Sequence, residues 1–243
     1  MMAGQPPELI VYDELGPCSY LPGRLWRLPL RLPVRALTRE EFGRRLSQGD
    51  RRQGRLLYRT TCPTCTACQP IRVLVDELEP GRTQRRILRR GNELIRTQFG
   101  ALRVDRERLR LYNLHKQGRN LSTTGDADTG PEAYRSFLGD SCTDTAEIRY
   151  YVGGELLGVA IADRAADALS AVYFYWDPKF SQLSPGVYSI LKQVEICRRL
   201  SVPYLYLGLY IADCRPMSYK DQYLPHERLV NGRWQRFDRP ARR

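Results

Sequence analysis

The chain has 243 residues, of which 42% are hydrophobic and 27% charged, and 39 Lys and Arg against 27 Asp and Glu give a formal net charge of +12. This composition is typical of a globular protein with one large or two small domains, and it excludes a disordered or fibrous chain. No apolar run approaches the roughly 20 residues of a membrane-spanning helix, and the first residues are acidic, unlike a secretory signal. We therefore expect a cytoplasmic protein without a membrane partner.

The positive charge is concentrated in the first half of the chain. Residues 1–130 hold 24 basic and 14 acidic residues, whereas residues 131–243 hold 15 and 13. The segment 82–110 alone carries ten Arg and three acids. Only four of the basic residues are Lys, so a compositional bias explains the choice of Arg but not the asymmetry. A stripe of this kind is typical of binding to a phosphate backbone, which predicts a nucleic-acid partner.

Proline interrupts the chain repeatedly up to residue 95. Between the prolines, short strands are predicted at 55–59 and 69–75, and a helix near 38–48. Thr38 followed by Glu41 has the spacing of a capping box, which favours a helix start there. Residues 1–95 are therefore predicted to form a smaller α+β region, which contains most of the cysteines.

Seven cysteines, an odd number, argue against a disulfide framework in a chain without a secretory signal. Three of them, Cys62, Cys65 and Cys68, form a CxxCxxC run, and Cys18 is the candidate fourth member. Four thiolates at such spacing suit a structural zinc ion or an iron–sulfur cluster. The alternative is that they are reduced, buried residues that pack a turn. Cys197 and the remaining two are expected to be structural.

A helical pattern begins at Arg82 and extends to the region of Gly91 and Gly100, followed by a second predicted helix at 106–117 and an exposed loop at 122–130. Helical spacing places five arginines of the first pattern mostly on one face. These five are Arg82, Arg85, Arg86, Arg89 and Arg90.

The second half has a more regular pattern. Strands are predicted at 146–152 and 155–162 around a Gly-Gly turn, then at 169–176, followed by a helix from Pro185 to about residue 200 and a strand at 202–209. This order of elements resembles the central half of the N-acetyltransferase-like (GNAT) fold, although an ordinary α+β sheet can have the same order of strands and helix. The predicted fold class is α+β, with a GNAT-like domain at 96–243 and the smaller Cys-containing region at 1–95.

Acetyl-CoA is disfavoured as the acyl donor. In acetyltransferases of this fold a Gly-rich basic turn holds the CoA pyrophosphate at a helix N-terminus. Here the turn at 181–188 has one Gly, no basic residue between Lys179 and Lys192, and Pro185 removes one backbone donor. Together with the Arg-rich first half, this indicates an aminoacyl-tRNA as the donor.

Five runs, spread over residues 18–220, resemble the aminoacyl-tRNA–protein transferases, above all the bacterial leucyl branch. They are CSYLP at 18–22, the CxxCxxCQPIR segment within 58–72, RTQRR at 82–86, SAVYFYWDP at 170–178 and YLYLGLYIADCRPMSYK at 204–220. His115 and Asn120 depart from the family pattern, which has Tyr and His there. These departures leave open which aminoacyl group and which acceptor are used.

The resemblance implies transfer of leucine from leucyl-tRNA to the N-terminal α-amine of proteins that begin with Asp or Glu, marking them for N-degron degradation. The partners are then an aminoacyl-tRNA and acceptor proteins with acidic N-termini, no cofactor is needed for the chemistry, and the oligomeric state stays open. One alternative is an arginyl-tRNA donor for the same acceptors. Another is a non-catalytic, Cys-metal nucleic-acid-binding module.

Aminolysis of an activated ester needs positioning and hydrogen-bond donors for the developing oxyanion rather than a covalent intermediate. The chain has two His, neither in a triad-like setting. Within the matched motifs, the candidate catalytic residues are Tyr173, Tyr219 and Lys220, with Tyr210 nearby. The candidate substrate-binding residues are Arg72, Arg82 and Gln84, and the candidate tRNA-binding residues are Arg85, Arg86, Arg89 and Arg90. Lys220 is also a candidate, with Arg72 and Arg82, for the acceptor carboxylate.

Overall fold

An eight-stranded sheet with helices on both faces forms the centre of the computed structural model, which describes residues 6–119 and 128–239. Asn120 and most of the loop predicted at 122–130 lie outside the described residues. The strands are β1 (Glu8–Tyr12), β2 (Leu15–Pro17), β3 (Leu25–Arg27), β4 (Leu30–Pro33), β5 (Arg51–Gln53), β6 (Leu56–Tyr58), β7 (Gln69–Leu74), β8 (Ile95–Ala101), β9 (Thr145–Val152), β10 (Glu155–Arg164), β11 (Ala168–Trp176), β12 (Tyr204–Tyr210), β13 (His226–Val230) and β14 (Arg233–Phe237).

The α-helices are α1 (Arg39–Ser47), α2 (Arg82–Leu94), α3 (Arg106–Gly118), α4 (Pro131–Tyr134), α5 (Pro185–Arg199) and α6 (Arg215–Ser218). A π-helical turn follows α4 at Arg135–Gly139, and 3₁₀ turns span Pro178–Leu183 and Tyr219–Gln222. Of the helices in the described ranges, none has the length and apolarity needed to cross a membrane.

The strand order of the large sheet is β14-β13-β7-β12-β11-β10-β9-β8, in which β11 and β12 are parallel and all other neighbours antiparallel. A smaller sheet has the order β1-β4-β6-β5, and β2 and β3 form a separate hairpin. The prediction of a mixed α+β protein is confirmed. Strand β7, from the N-terminal part of the chain, pairs with both β12 and β13, while the division at residue 95 stays a prediction.

Several predicted elements are confirmed. Helix α1 starts with the predicted capping box, in which the Thr38 hydroxyl accepts from the Glu41 backbone N–H and the Glu41 side chain accepts from the Thr38 N–H. The other predicted elements of this part of the chain also occur within a few residues of their predicted bounds. They are the helix at 106–117 (α3), the Gly-Gly hairpin of β9 and β10, the strand and helix that follow it (β11 and α5), and the buried strand predicted at 202–209 (β12).

The predicted helical pattern up to the region of Gly100 is wrong beyond Leu94. Residues from Ile95 onward form β8, which pairs antiparallel with β9. Ile95, Thr97 and Phe99 alternate with more polar residues, and β-branched and aromatic side chains favour a strand. The C-terminal hairpin of β13 and β14 was not predicted from the sequence.

Helices α2 and α5 pack together on one face of the sheet. Gly91 of α2 lies so close to Tyr188 of α5 that a Cβ at position 91 would come within 2.2 Å of the Tyr188 ring. Cys197 is fully buried in the same core, as predicted. On the other face, the Tyr134 hydroxyl is 2.5 Å from that of Tyr175, within a second core formed by α3, α4 and the sheet. The sheet is thus fixed from both sides.

Candidate active site

The parallel strands β11 and β12 separate after a short paired stretch. Pairing runs from Ala168↔Tyr204 to Ser170↔Tyr206, and both described strands continue without a further pair between them. The gap opens into a cleft of about 670 Å³. Its walls come from the unpaired halves of both strands, from α5 and the Tyr219–Gln222 turn, and from side chains of α3 and the N-terminal region. Such a gap leaves the backbone groups that face it without a partner on the neighbouring strand.

Arg51 places a buried guanidinium at the point where the two strands separate. Its Nη2 donates to the Ala171 carbonyl at 3.1 Å and its Nη1 to the Ser170 hydroxyl at 3.4 Å, so neither partner is charged. Gly208 makes room for it, because a Cβ there would lie 3.0 Å from Nη2 and the φ of Gly208 is +85°. A buried cation without a countercharge is costly, which favours an anionic ligand.

Lys220 supplies a second buried cation. Its Nζ donates to the Leu209 carbonyl at 2.5 Å and lies 3.6 Å from the sulfur of Met217. Burial, and then the positive charge of Arg51, lower the pKa of Lys220 to about 7. No Asp or Glu lines the cleft among the described residues. Lys220 is therefore poised to pair with a carboxylate brought by a ligand.

Tyr173 and Tyr219 also line the cleft. Burial, and then the neighbouring Tyr112, raise the pKa of Tyr173 to about 12, so its phenol stays protonated and can donate a hydrogen bond. Tyr219 lies at the rim and is 44% exposed. Tyr210, in contrast, is buried under the guanidinium of Arg228 outside the cleft lining.

His115, one of the departures from the family pattern, lies in the cleft wall. Its Nδ1 is 3.2 Å from the backbone nitrogen and 3.1 Å from the backbone oxygen of Trp176, at the end of β11. Burial lowers the pKa of His115, so the imidazole is neutral at physiological pH. In the structure, the His115 ring contacts the backbone groups of Trp176, which have no partner on β12.

Arg72 lies apart from the cleft. Its guanidinium forms an ion pair of 2.6 Å with Glu227 and donates a hydrogen bond to the Tyr206 hydroxyl at 3.1 Å. The guanidinium carbon also lies 3.9 Å from the centroid of the Tyr204 ring and 4.2 Å from that of the Trp234 ring. These contacts tie β7, β12 and the C-terminal hairpin together. Its binding of substrate stays a prediction.

Gln84 connects α2 to the wall of the cleft. Its Oε1 accepts from the Gly81 backbone N–H at 2.8 Å, closing the start of α2, and its Nε2 donates to the Gln222 carbonyl at 3.4 Å. Arg82 is exposed at the same end of the helix. The structure thus brings Arg82 and Gln84 next to the turn that carries Lys220, although neither lines the cleft itself.

The five arginines of α2 point away from the protein. Gln84 and Gly91 are the buried residues of the helix, and Ile87 and Leu88 pack against the core, so the arginines occupy the opposite side. The predicted one-sided arrangement is confirmed, whereas binding to tRNA stays a prediction. The exposed set is Arg82, Arg85, Arg86, Arg89 and Arg90.

The four candidate metal ligands line one pocket of about 260 Å³, which shares Tyr20, Tyr58 and Leu209 with the cleft. Burial, and then the neighbouring thiols including Cys214, raise the pKa of Cys68 to about 12. Within residues 6–119 and 128–239, however, no three His, Cys, Asp or Glu side chains are placed to share a metal ion. Zinc or a cluster at Cys18, Cys62, Cys65 and Cys68 stays a prediction, which metal analysis of the purified protein tests.

No sequence pattern pointed to Arg51 or Gln193 as site residues. Arg51 and Arg52 are adjacent in β5 and point to opposite sides, and Arg52 forms a buried ion pair with Asp163. Because no strand was predicted at 51–53, the alternation that buries these two arginines on opposite sides could not be used to find Arg51. Gln193 lies with Ser189 on the buried face of a predicted helix, where two polar residues among apolar ones could have drawn attention.

Fold and cleft together define an α+β protein with a deep, cationic cleft beside an arginine-rich helix. The family model described as the N terminus of arginine-tRNA-protein transferase matches residues 16–86, and the one described as its C terminus matches residues 107–230. The chain belongs to the arginine-tRNA-protein transferase family, a family of aminoacyl-tRNA–protein transferases.

Curated relatives are similar along most of their length. The chain is 42% identical to an aspartate/glutamate leucyltransferase of Thiobacillus denitrificans and 41% identical to that of Chromobacterium violaceum, with 90% of each chain covered in both cases. That of Alcanivorax borkumensis is 40% identical, over 92% of this chain and 91% of the relative. A solved structure, that of FemX, is 10% identical with a TM-score of 0.43 and covers 81% of this chain and 79% of its own.

Proposed function

We propose that this protein transfers leucine from leucyl-tRNA to the N-terminal α-amine of proteins that begin with aspartate or glutamate, marking them for N-degron degradation. The observation that carries the proposal is the pair of buried cations, Arg51 and Lys220, in a cleft whose described lining has no acidic residue. The names of the relatives, aspartate/glutamate leucyltransferases, support the same reaction.

The cation pair suits the acidic side chain of the acceptor. A carboxylate restores the countercharge that Arg51 and Lys220 lack, and it accepts strong hydrogen bonds from guanidinium and ammonium groups. An Asn or Gln side chain has nearly the same shape but no charge, so it leaves both cations uncompensated. Selectivity for Asp and Glu over their amides therefore follows from the desolvation of these two residues.

The rest of the cleft suits leucine better than arginine as the donor side chain. Its walls include Val187, Ile190, Phe174 and Leu207, which are apolar. An arginyl side chain would add a third cation to a site without a carboxylate to receive it. The charge and apolar lining of the cleft therefore favour leucyl-tRNA over arginyl-tRNA as the donor.

The arginine face of α2 suits the phosphates of the tRNA acceptor stem. The hydrogen bond from Gln84 to the Gln222 carbonyl places the start of this helix beside the turn that walls the cleft. A stem lying along α2 would therefore direct its aminoacylated 3′ end toward Lys220. Phosphate contacts of this type position the nucleic acid without reading its sequence.

The separated parallel strands support the finer fold assignment, an N-acetyltransferase-like domain over residues 96–243 with a smaller Cys-containing region before it. Because β7 joins the sheet of that domain, the two regions would act as one unit around the cleft. A soluble tRNA and cytosolic acceptor proteins as substrates favour a cytoplasmic location.

The reaction requires one bond to form and one to break. The acceptor α-amine, with an ordinary pKa near 8, attacks the ester carbonyl as the free base. The ribose oxygen leaves and takes up a proton, and the new amide remains on the acceptor. Tyr173 keeps its proton, and by exchanging its hydrogen bond with Tyr112 for one to the substrate it would donate to the carbonyl oxygen as negative charge develops. No cofactor takes part in these steps.

The test is transfer of labelled amino acid from leucyl-tRNA and arginyl-tRNA, measured side by side with peptides that begin with Asp, Glu, Asn, Gln or Ala. We expect leucine transfer to the Asp and Glu peptides, at a kcat/KM about 100-fold above that for Asn and Gln. Arginine transfer alone would identify the arginyl branch. Transfer of neither amino acid, with tRNA binding retained, would contradict the proposal and favour the non-catalytic nucleic-acid-binding module.

A further inference from the structure

A buried polar atom in the cleft wall has no partner within the described structure. Gln193 is 2% exposed and lines the cleft, and its carbonyl oxygen Oε1 accepts no hydrogen bond among the described residues. An acceptor of this kind, left without a donor, lowers the stability of the folded protein. Its presence in the wall of a cleft points to a donor that arrives with the ligand.

The orientation of Gln193 is fixed by its neighbours. Its Nε2 donates to the Ser189 hydroxyl at 3.2 Å, and that hydroxyl is 3.0 Å from the hydroxyl of Tyr150, which is fully buried. Ser189 lies one helical turn before Gln193 on α5, so the amide group is held between helix and sheet. With its nitrogen bonded to Ser189, the amide leaves its oxygen, itself buried, as the end without a partner among the described residues.

The surroundings of Gln193 identify the ligand group that donates. Ile190, one turn earlier on α5, lines the cleft together with Val187 and Phe174, which form an apolar wall. A leucyl side chain packs against such a wall, and its α-amine is attached to the carbon next to the side chain. The cations Arg51 and Lys220 repel an ammonium group, so the α-amine is directed toward a neutral acceptor.

We propose that Gln193 Oε1 accepts a hydrogen bond from the free α-amine of the leucyl group, so that the protein selects aminoacyl-tRNA against donors that lack or block this amine. The inference rests on the proposed leucyl transfer and adds the residue that reads the donor. Gln193 acts as a specificity-determining residue, and Ser189 and Tyr150 position it.

The experiment compares two donors with two variants. The donors are leucyl-tRNA and 4-methylpentanoyl-tRNA, which is leucyl-tRNA without the α-amine, and the acceptor is an Asp peptide. Each single-turnover rate is divided by the rate at which hydroxylamine cleaves the same ester, which corrects for intrinsic reactivity. We expect Gln193→Met, which keeps the shape and removes the acceptor, to reduce the preference for leucyl-tRNA by about tenfold to 100-fold.

Gln69→Met is the matched control. Gln69 is another glutamine whose Oε1 has no partner in the described structure, but it is only half-buried and lies on β7 outside the cleft lining. We expect this variant to keep the wild-type preference. A Gln193→Met variant with the wild-type preference would overturn the inference.

A binding measurement separates this inference from the proposed function. The probes are 3′-leucylamino-3′-deoxyadenosine, which cannot transfer its leucine, and its N-acetyl derivative. Preference for the free amine that is lost in Gln193→Met supports the assignment even if no leucine is transferred, a result that would contradict the proposed function alone. Equal affinity of the wild-type protein for both probes would contradict the assignment of Gln193, whether or not leucine is transferred.

Discussion

The molecule carries positive charge in two different settings. On α2, five guanidinium groups are exposed to solvent, whereas in the cleft Arg51 and Lys220 are buried and bonded only to uncharged groups. Exposed charges keep their hydration and are screened by salt, so each contributes little alone. Buried charges have lost their hydration and gain much more from a correctly placed anion. The first setting suits affinity for a polyanion, and the second suits selectivity.

The two buried cations also differ from each other. Arg remains protonated at any physiological pH, so Arg51 depends on the carbonyl of Ala171 for compensation. Lys220 responds to burial by a pKa of about 7, so part of the population is neutral near physiological pH. The first cation is permanent, and the second can be titrated.

The largest effect is expected at Arg51. Replacing Arg51 by Met removes the permanent cation and leaves the Ala171 carbonyl without that donor. We expect kcat/KM for an Asp peptide to fall by about 100-fold to 1,000-fold, and that for an Asn peptide by less than about tenfold, because only the charged acceptor loses its counterion. Steady-state kinetics with both peptides measures the difference.

Arg89→Met serves as its control, since it removes an exposed arginine from α2. This variant should lower both rates by the same small factor. Equal loss for the Asp and Asn peptides in Arg51→Met would show that Arg51 supports the fold of the cleft rather than the acceptor carboxylate.

The two settings were not equally predictable from the sequence. The arginine face of α2 follows directly from helical spacing, and its exposure was found as expected. The Gly-Gly hairpin and the capping box at Thr38 are likewise local features, fixed by neighbours in the sequence. Such features depend on a few adjacent residues, so a pattern is sufficient to find them.

The cleft depends on contacts between distant parts of the chain. Arg51 reaches the carbonyl of a residue 120 positions later, and it fits only because position 208 is a glycine. Arg72, in a matched motif, is bound instead by Glu227, which lies 155 positions away on a hairpin that no sequence pattern predicted. No local pattern distinguishes these two arginines, because their partners are set by the strand order.

The charge of Lys220, unlike that of the exposed arginines on α2, changes near physiological pH. As pH rises through about 7, Lys220 loses its proton and with it the attraction for the acceptor carboxylate. We therefore expect kcat/KM for an Asp peptide, which reports the free enzyme, to show a descending limb above about pH 7, opposed by deprotonation of the acceptor α-amine near pH 8. Rates between pH 6 and 9 test this.

Lys220→Arg keeps the charge at every pH in this range, so the descending limb should disappear. Lys220→Met should lower the rate for Asp peptides by about tenfold to 100-fold at pH 6.5 and by less at pH 9. A descending limb that persists unchanged in Lys220→Arg would assign the titration to another group.

Burial of the Lys220 charge should also cost stability. Because the pKa of Lys220 is lower in the folded than in the unfolded state, the unfolded protein binds the extra proton between about pH 7 and the ordinary lysine pKa. Wild-type stability should therefore rise with pH across this window. We expect Lys220→Met to be more stable by about 1–3 kcal/mol at pH 7, after the loss of the Leu209 bond, and the gain to shrink toward pH 10.

Urea unfolding of both proteins at pH 7 and pH 10 measures this gain, and Arg89→Met provides the exposed comparison with a change below about 0.5 kcal/mol. A Lys220→Met variant that is less stable at both pH values would mean that the folded protein already compensates the charge of the Lys220 ammonium group. The cleft would then not require an anionic ligand for that purpose.

The smallest effects are expected from single arginines of α2. Each exposed guanidinium that contacts a tRNA phosphate releases about one counterion, so Arg86→Met or Arg89→Met should weaken tRNA binding by about threefold to tenfold near physiological salt and reduce the salt slope by about one. Charged and uncharged tRNA should be affected alike, because these residues lie outside the cleft. Arg199→Met, which replaces an exposed arginine on α5, is the control and should leave the slope unchanged. If a single α2 variant instead altered the preference for Asp over Asn peptides, the exposed and buried charges would act on the same substrate group, and the division of affinity from selectivity would not hold.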